Sequence, residues 1–365
     1  MTLETFVLPH ISALQPYIPG KSIAHAAREL GVDPEHIVKL ASNENPLGTA
    51  PAARLVLERS GPEAHRYPDM DCLALHEGLA AHLGVSTSQV LAGAGSSDLI
   101  RLVAQALLAP GRAAVLPQHS FAAYEAAARS VGAKAIVVPT RDWQPDLDAM
   151  VAAIDPSVRV IFIASPNNPT GVLVEPQALE RFFSAVPANV LIVLDEAYHD
   201  YVPPDSRVDV RALTSRHENL LVLRTFSKVY GLAGLRIGYA LGHAKLIELL
   251  HRIQTHFIVS APAQAAALAA LADAQFVEQS VTLNRVERAN LCRELSTLGI
   301  EYVHSHGNFV LTHVGDGSRV YGALLERGIV VRPMGYYRLK EWIRVTVGLP
   351  EQNAAFIKAL RAVTG

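Results

Sequence analysis

Between residues 113 and 224 the sequence alternates short apolar runs with segments whose apolar residues have helical spacing. The runs are continuous and rich in β-branched residues, and they lie at 113–116, 135–138, 158–164, 190–194 and 220–224. The helical segments lie at 120–131, 147–154 and 176–186. Continuous β-branched strands are typical of sheets that are buried on both faces. Strands that alternate with helices predict an α/β fold with a mostly parallel sheet.

The rest of the chain is organised differently from this α/β region. With 365 residues, of which 50% are hydrophobic, the chain is long enough for a large domain and a smaller one. Helical spacing dominates 243–298, and strands are predicted beyond it at 309–312, 329–332 and 343–347. We expect an N-terminal arm with part of the small domain at 1–48, a large domain at 49–255 and a small α+β domain at 256–365.

Charge and composition argue against several classes of partner. The 32 basic and 34 acidic residues give a formal net charge of -2, which provides no general attraction for nucleic acid or an anionic membrane. The two cysteines, Cys72 and Cys292, make neither a disulfide framework nor a zinc ligand set. Residues 1–10 lack the pattern of a signal peptide, and no apolar stretch reaches the roughly 18 residues that span a bilayer. We therefore expect a cytoplasmic protein without a metal site.

Polar residues follow the apolar runs, at the carboxyl ends of the predicted strands, where open parallel sheets bind their ligands. The run 158–164 is followed by Ser165–Gly171, a Ser-Pro-Asn-Asn-Pro-Thr-Gly loop that holds Asn168 at the sheet edge. The alternative is an ordinary surface turn, because Asn, Pro and Gly are turn formers.

Asp195 comes at the end of the next predicted strand, where a buried carboxylate is costly unless a cation meets it. Two cations fit this position, Mg²⁺ in an ATPase or the protonated nitrogen of a heterocyclic cofactor. The nucleotide interpretation lacks its phosphate loop, since the sequence contains no Gly-x-x-x-x-Gly-Lys-Ser/Thr motif. Tyr198 follows three residues later and completes an Asp-x-x-Tyr motif.

Lys228 follows the run 220–224 through Thr225, Phe226 and Ser227, and Arg236 comes eight residues after it. Most lysines are solvated surface charges, which is the alternative here. At the end of a buried strand, desolvation lowers the pKa of a lysine and makes its amine nucleophilic, which suits Schiff-base chemistry.

A glycine-rich segment, Gly93–Asp98, precedes a helix predicted at 96–108. Backbone N–H groups at a helix N-terminus bind phosphate, whereas the ordinary alternative is that Ser96 or Ser97 caps the helix. We find no clear strand-glycine-helix unit here, so a Rossmann fingerprint is not indicated. With the aromatic residue Phe121 and the three loops above, the segment makes a complete cofactor site. The site offers a phosphate cradle, a stacking face, an acid for a pyridinium and an amine for an aldehyde.

The order and spacing of these motifs resemble those of the class I/II aminotransferases, a pyridoxal-phosphate-dependent group with the aspartate aminotransferase fold (fold type I). Within that group the chain is most similar to the histidinol-phosphate aminotransferases, and the resemblance covers nearly all of it. The specific motifs are Ser165–Gly171, Asp195–Tyr198 and Ser227-Lys228 with Arg236. The supporting motifs are Pro16–Gly20, Ser42–Pro46, Arg66–Pro68 and Ile343–Gly348.

The resemblance implies a role for each residue of the cofactor site. Lys228 would carry pyridoxal 5'-phosphate as a Schiff base and move the substrate proton. Asp195 would pair with the pyridinium nitrogen, while Asn168 and Tyr198 would hydrogen-bond the phenolic oxygen. Phe121 would stack on the ring, although many relatives have tyrosine there. The phosphate would be bound by Gly95, Ser96, Ser227 and Arg236, and by Tyr67 from the neighbouring subunit of a homodimer.

The resemblance also implies the substrates. Arg344 matches the arginine that binds the substrate anion, Arg332 looks like a second arginine for a phosphate group, and Tyr17 matches a substrate-side tyrosine. The implied reaction is transamination between L-histidinol phosphate and 2-oxoglutarate, which gives imidazole acetol phosphate and glutamate in histidine biosynthesis. For Arg332 alone, an ordinary surface charge at the end of a strand is the alternative.

Two alternatives on the same fold stay open. One is an aromatic amino acid aminotransferase, because imidazole and phenyl rings occupy similar space. The other is a threonine-phosphate decarboxylase. A cofactor-sensing regulator fits poorly, since residues 1–50 have no helix-turn-helix pattern and the net charge gives no attraction for DNA.

Overall fold

The structure, a computed structural model, describes residues 6–14, 16 and 20–364 of the chain. The α-helices are α1 (Pro9–Ser12), α2 (Ile23–Leu30), α3 (Pro51–Arg59), α4 (Leu73–Leu83), α5 (Ser96–Leu107), α6 (Ala122–Ser130), α7 (Leu147–Ala152), α8 (Pro176–Ala185), α9 (Val210–Arg216), α10 (Ala244–His251), α11 (Ala261–Leu271), α12 (Ala274–Thr297), α13 (Gly317–Leu325) and α14 (Pro350–Thr364). None of these helices has both the length and the apolar character that crossing a membrane requires.

The β-strands of the described residues form one large sheet and three smaller ones. They are β1 (Val38–Lys39), β2 (Val90–Gly93), β3 (Ala113–Pro117), β4 (Lys134–Val138), β5 (Thr140–Arg141), β6 (Gln144–Pro145), β7 (Val158–Ala164), β8 (Leu191–Asp195), β9 (Leu220–Thr225), β10 (Gly238–Gly242), β11 (Tyr302–Val303), β12 (Phe309–His313), β13 (Ile329–Val330), β14 (Arg332–Pro333) and β15 (Trp342–Thr346).

The large sheet has seven strands in the order β2-β10-β9-β8-β7-β3-β4. The strands from β9 to β4 in this order run parallel, whereas β10 is antiparallel to both of its neighbours. Because β2 and β9 are both antiparallel to β10, they run in the same direction. The predicted α/β fold with a mostly parallel sheet is confirmed.

The five strands predicted for this sheet are all present, and their ends differ from the prediction by at most one residue. Two further strands, β2 and β10, have no counterpart in the prediction. β2 has only four residues, and β10 begins and ends with glycine, so neither contains a β-branched run. The described part of residues 1–48, predicted as an N-terminal arm with part of the small domain, contains the helices α1 and α2 and the short strand β1.

Each face of the large sheet has its own hydrophobic core, because successive residues of a strand point to opposite faces. Ile161 and Ile163 of β7 pack on one side together with Leu179 of α8. Val160 and Phe162 pack on the other side together with residues of α5. Burial on both faces explains why these strands are apolar along their length and carry polar side chains at their ends.

A second sheet is formed by the C-terminal part of the chain, with four antiparallel strands in the order β11-β12-β15-β14. An N-terminal segment packs beside it, where β1 pairs in parallel with β13 in a separate two-stranded sheet. The Leu40 N–H donates to the Val330 carbonyl at 2.7 Å, and the Thr346 N–H donates to the Leu40 carbonyl at 2.8 Å. The domain boundaries expected near residues 48 and 255 stay a prediction.

Candidate active site

The sheet topology brings four loops to one edge of the large sheet. Since β2 runs in the same direction as β7, β8 and β9, the carboxyl ends of all four strands share that edge. Gly238, which begins β10, is aligned with Gly93 of β2 and with Thr225 of β9. Ala164 at the end of β7 is aligned with Asp195 at the end of β8. The polar segments that follow these strands therefore lie close together.

These segments and part of the C-terminal sheet line one cavity of about 260 Å³. Ten of the thirteen site residues predicted from the sequence line it, namely Ser96, Phe121, Asn168, Asp195, Tyr198, Ser227, Lys228, Arg236, Arg332 and Arg344. Gly95 lies beside Arg236 at the rim.

Lys228 lies just beyond the end of β9, and its side chain is half-buried in the cavity. The Nζ atom donates a hydrogen bond to the Ser42 carbonyl at 3.3 Å and lies 5.7 Å from the centre of the Tyr198 ring. Burial lowers the pKa of Lys228 to about 8, assisted by the positive charge of Arg344 and opposed by the carboxylate of Glu44. A larger fraction of this amine is neutral near pH 7 than for an exposed lysine, as a nucleophile requires.

Asp195 is buried at the end of β8 and accepts two hydrogen bonds. The Tyr124 hydroxyl donates to Oδ2 at 2.8 Å, and the Ala197 N–H donates to Oδ1 at 3.0 Å. Burial raises the pKa of Asp195 to about 6, because the two hydrogen bonds offset only part of the desolvation. A protonated ring nitrogen would supply the cation that this buried carboxylate requires.

Tyr124 belongs to this site although none of the sequence motifs contains it. It lies on α6, one turn after Phe121, in an alanine-rich segment typical of an ordinary core helix. Its ring is fully buried, stacks on Phe162 with 5.0 Å between ring centres, and meets Phe121 edge-on at 5.7 Å. The only signal in the sequence is that a tyrosine on a buried helix face has a hydroxyl that must find a partner.

The helix α5 begins at the same edge of the sheet, with Gly95 as its N-cap. The alternative that Ser96 or Ser97 caps the helix is wrong, because Gly95 holds the N-cap position and no side chain caps the helix. The segment is also a strand-glycine-helix unit, contrary to expectation, since β2 precedes it. A Cβ at Gly95, where φ is 85°, would lie 2.7 Å from Nη2 of Arg236. Glycine thus lets a guanidinium approach a helix N-terminus, where anions bind.

Ser227 and Arg236 complete a cradle that fits a phosphate group. The Thr225 hydroxyl donates to Ser227 Oγ at 3.0 Å, and the Ser227 N–H donates to Thr225 Oγ1 at 3.1 Å. Because Ser227 Oγ accepts here, its own proton is available to an anion in the cavity. Arg236 is held at the rim by a hydrogen bond from Nη1 to the Ala233 carbonyl at 3.0 Å. Hydroxyl, helix N-terminus and guanidinium are the groups that bind phosphate in proteins.

Asn168 and Arg344 are joined by a hydrogen bond from the Arg344 Nη1 atom to Asn168 Oδ1. The carbonyl oxygen of Asn168 is therefore occupied, and its amide N–H groups are left to donate to a cofactor. Arg344 also donates from Nη2 to the Ala41 carbonyl at 3.1 Å and lies 5.3 Å from the centre of the Phe309 ring. Each Nη atom carries two protons and donates one of them here, so two donors remain for a bound anion, whereas the buried Nε atom has no hydrogen-bond partner among the described residues.

Arg332 lies on β14 directly opposite Arg344 on β15. Only 5% of the Arg332 surface and 7% of the Arg344 surface are exposed, so the alternative of a surface charge at Arg332 is wrong. Like charges at facing positions of antiparallel strands repel each other, and burial increases the cost. An anion in the cavity would face both guanidinium groups, so this wall suits a carboxylate or a phosphate.

Tyr198 forms another wall of the cavity. Its ring is buried and packs edge-on against Phe309 with 5.1 Å between ring centres. The Asn43 Nδ2 atom donates to the Tyr198 hydroxyl oxygen at 2.8 Å. Burial raises the pKa of Tyr198 to about 12, against the opposing effects of the Arg344 charge and the Asn43 hydrogen bond. The phenol is therefore neutral near pH 7 and keeps a proton to donate.

Of the predicted site residues that the structure describes, one is not brought into the cavity by this chain. Tyr67 is 83% exposed and stacks on Phe257 with 4.6 Å between ring centres. Tyr17 lies outside the described residues. Within the described part of the chain, no group of three or more His, Cys, Asp and Glu residues is arranged to hold a metal ion.

Comparison with known proteins identifies the class to which this fold and cavity belong. The model of the family "Aminotransferase class I and II" matches residues 35–360. The chain therefore belongs to the class I and II aminotransferases. It is 51% identical over 355 residues to histidinol-phosphate aminotransferase 1 of Cupriavidus pinatubonensis, covering 96% of this chain and 94% of the relative. It is 48% identical to histidinol-phosphate aminotransferase 2 of Ralstonia nicotianae, covering 97% and 96% of the two chains.

Solved structures agree with this assignment. Histidinol-phosphate aminotransferase from Sinorhizobium meliloti, in complex with pyridoxal-5'-phosphate, has a TM-score of 0.91 at 27% identity and covers 98% of this chain and 97% of its own. Aspartate aminotransferase from Thermus thermophilus with maleate has a TM-score of 0.84 at 23% identity, covering 98% and 99%. The predicted aspartate-aminotransferase-like fold and the predicted enzyme class are both confirmed.

Proposed function

We propose that this enzyme transfers an amino group between L-histidinol phosphate and 2-oxoglutarate, giving imidazole acetol phosphate and glutamate in histidine biosynthesis. The observation that carries the proposal is the facing pair of buried arginines, Arg332 and Arg344, in the same cavity as Lys228. Both substrates bring an anion to this wall, a phosphate in one case and carboxylates in the other. The names of the two bacterial relatives support the same reaction.

The proposal includes pyridoxal 5'-phosphate as the cofactor, because the polar groups of the cavity fit each part of it. When bound, the cofactor supplies an aldehyde that captures an amino group and a ring that accepts electrons. Asp195 would pair with the ring nitrogen, Phe121 would cover the ring, and Asn168 and Tyr198 would donate to its phenolic oxygen. The remaining set, which would hold the phosphate, is Gly95, Ser96, Ser227 and Arg236.

In this proposal the catalytic steps belong to Lys228. Its Nζ atom would hold the cofactor by its aldehyde until the amino group of the substrate takes its place. The freed, neutral Nζ would then take the proton from the substrate Cα as a general base and return a proton as a general acid. Asp195 would hold the proton on the ring nitrogen. Arg332 and Arg344 orient the substrate so that its Cα–H bond faces Nζ.

Steady-state kinetics on a panel of amino donors tests the proposed reaction. We expect the highest kcat/KM for L-histidinol phosphate with 2-oxoglutarate as acceptor. A higher kcat/KM for phenylalanine or tyrosine would replace the proposal with an aromatic amino acid aminotransferase. Release of CO₂ from threonine phosphate without any 2-oxoglutarate would replace it with a decarboxylase.

We expect Arg332→Ala to lower kcat/KM for histidinol phosphate by about a hundredfold, the usual cost of removing one partner of a buried charge pair. The loss for phenylalanine should be much smaller, because its single carboxylate can still bind Arg344. Arg332→Lys should recover only part of the loss, since lysine cannot bind a phosphate with two parallel hydrogen bonds. The exposed Arg327 provides a matched control, and Arg327→Ala should leave both substrates unaffected. Equal losses on both substrates would contradict a phosphate-binding role.

Tyr17 is kept in the proposal as a substrate-side residue.

The proposal also includes a homodimer in which Tyr67 binds the cofactor phosphate of the partner. Tyr67 is 83% exposed on a single chain, and Met70, Leu73 and Phe257 add further exposed apolar surface near it in sequence or space. Exposed aromatic and apolar residues of this kind are typical of surfaces that another protein covers. The phosphate cradle itself is open at Arg236, whose side chain is exposed.

Mixing two inactive variants tests the dimer. Tyr67→Ala should weaken cofactor binding, and Lys228→Ala should be inactive, but hybrid dimers contain one site with both native residues. Activity at limiting cofactor should therefore rise when the two variants are mixed and allowed to exchange subunits. Tyr67→Ala mixed with the double variant Tyr67→Ala/Lys228→Ala is the control, because that pair cannot form a native site. Absence of rescue in the first mixture would contradict a shared site.

We infer a cytoplasmic location, because both proposed substrates are free metabolites of biosynthesis. We also infer that the protein has no nucleic-acid partner, because the chain is nearly neutral. Cell fractionation with an antibody to the protein tests the location. Binding to DNA or RNA at physiological salt would contradict the second inference.

A further inference from the structure

Asn43 combines several features that are costly for an asparagine without a function. Its residue surface is 1% exposed, and its backbone has φ of 54°, in the left-handed region that glycine adopts freely and that asparagine tolerates better than most other residues. It also lines the cavity that contains Lys228. Buried polar side chains and left-handed non-glycine residues both cost free energy, so their coincidence at one residue of the cavity indicates a specific task.

The hydrogen bonds of Asn43 fix the orientation of its side-chain amide. The Asn43 N–H donates to Thr346 Oγ1 at 2.9 Å, so the Thr346 hydroxyl accepts that bond and must donate its own proton elsewhere. It donates to Asn43 Oδ1 at 3.3 Å. With Oδ1 facing Thr346, the NH₂ end of the amide faces Tyr198 and donates to its hydroxyl oxygen at 2.8 Å. The two ends of the amide are thus distinguished by their partners.

This bond determines what the Tyr198 hydroxyl can do. Because its oxygen already accepts from Asn43, the hydroxyl has to place its proton on a different acceptor. Tyr198 lines the cavity, so the proton is directed to a group bound there. We propose that Asn43 is a positioning residue for Tyr198, which makes the phenol donate to the cofactor's phenolic oxygen and so holds the cofactor–Lys228 link unprotonated near pH 7. This inference rests on the proposed function only in requiring that the cofactor binds.

The backbone and the side chain of Asn43 have separate partners, which makes the role testable. The backbone oxygen accepts from Asn308 Nδ2 at 3.0 Å, and the backbone N–H binds Thr346, so the main chain ties this segment to the C-terminal part. Only the side-chain amide reaches Tyr198. Asn43→Gly keeps the left-handed backbone and its two bonds while removing the amide. Asn43→Asp keeps the shape and replaces the donor by an acceptor.

The experiment is a pH titration of the visible absorbance of the holoenzyme, which reports the pKa of the cofactor–Lys228 link without turnover. A hydrogen bond donated to the phenolic oxygen stabilises its anionic form and favours loss of the proton from the link. We expect that pKa to rise by about one pH unit in Asn43→Gly, the effect of one ordinary hydrogen bond. The rise should be larger in Asn43→Asp, because Tyr198 would then donate to the new carboxylate instead.

Two further variants separate positioning from a general structural role. Asn308→Ala removes the bond to the Asn43 backbone without touching Tyr198, so it should lower thermal stability and leave the titration unchanged. In a Tyr198→Phe background, Asn43→Gly should produce no additional shift, because the two residues act through one hydroxyl. Folding of each variant is checked by the melting temperature of the cofactor-free form.

Two results would overturn the inference. One is an unchanged titration in both folded Asn43 variants, and the other is a shift that persists in full in the Tyr198→Phe background. Either result would leave the proposed reaction intact if histidinol phosphate is still transaminated. Conversely, the titration remains readable if that substrate proves wrong, as long as the cofactor binds. The proposed reaction and the proposed role of Asn43 can therefore be contradicted independently of each other.

Discussion

Lys228→Ala should abolish transamination and leave a folded protein. The side chain is half-buried and makes one hydrogen bond, to the Ser42 carbonyl, so truncation costs little packing. In the proposed mechanism it removes both the attachment point of the cofactor and the base that moves the proton, and no other described lysine lines the cavity. We expect kcat to fall by at least about 10⁴-fold, the upper range for a single general base. Single-turnover kinetics and the melting temperature measure the two effects.

The matched control for this prediction is Lys245→Ala, because Lys245 is exposed and paired only with Glu248 in the described structure. That variant should keep full activity. Borohydride should fix the cofactor to the native protein and to Lys245→Ala, but not to Lys228→Ala. Retention of the cofactor on Lys228→Ala after reduction would show that a different amine forms the link.

The lowered pKa of Lys228 adds a pH dependence to the same prediction. Only the neutral amine attacks an aldehyde, so attachment of the cofactor to the cofactor-free protein should accelerate as pH rises through about 8 and then level off. For an exposed lysine the same rise would occur about two pH units higher. Stopped-flow absorbance at a series of pH values measures this profile.

Asp195→Asn should lower kcat/KM by at least about a hundredfold, the usual loss on removing a preorganised charge from an active site. The amide has the shape of the carboxylate but cannot hold a proton on the ring nitrogen, so the electron-accepting ring is weakened. Tyr124→Phe is the informative comparison, since it removes the 2.8 Å bond to Asp195 Oδ2 and keeps the charge. We expect a much smaller loss for that variant. Similar losses in both would mean that the hydrogen bond, not the charge, matters.

The same substitution should stabilise the cofactor-free protein, and the sign follows from the raised pKa. Burial raises the pKa of Asp195 to about 6, above its value in the unfolded chain, so the charged form is disfavoured by folding. The free energy that folding loses by burying the ionised carboxylate is largest above pH 6. It decreases as the pH falls towards 4 and is absent below pH 4. Asp195→Asn should therefore raise the melting temperature at pH 8 and not at pH 4, measured without cofactor.

Much of this site is predictable because it depends on local rules. Continuous apolar runs predict the strands, and the polar residues directly after them, such as Asp195 and Lys228, must lie at the same edge of a parallel sheet. The sequence distance between these residues does not matter, since the sheet aligns their strand ends. The resemblance to a known family adds the roles, which chain topology alone does not reveal.

The parts that were missed depend on contacts between distant segments. β10 has no β-branched run, and its place in the sheet comes from pairing with both β2 and β9. Tyr124 acquires its importance from a hydroxyl that meets Asp195, 71 residues away, and Asn43 from an amide that meets Tyr198, 155 residues away. The cap at Gly95 depends on the approach of Arg236, which no local capping rule includes. Such contacts exist only after the fold has formed.

The N-terminal segment that contains residues 41–43 packs against β15, and this contact determines when the active site can form during synthesis of the chain. Arg344 and Thr346 contact residues 41–43, which lie 303 residues earlier in the sequence. The large sheet can form during translation, because all of its strands precede residue 243. The wall that contains Arg332 and Arg344 forms later, since β14 and β15 are synthesised after every strand of the large sheet. The vitamin B6 coenzyme can therefore meet its complete site only after these two distant segments of the chain have been synthesised and joined.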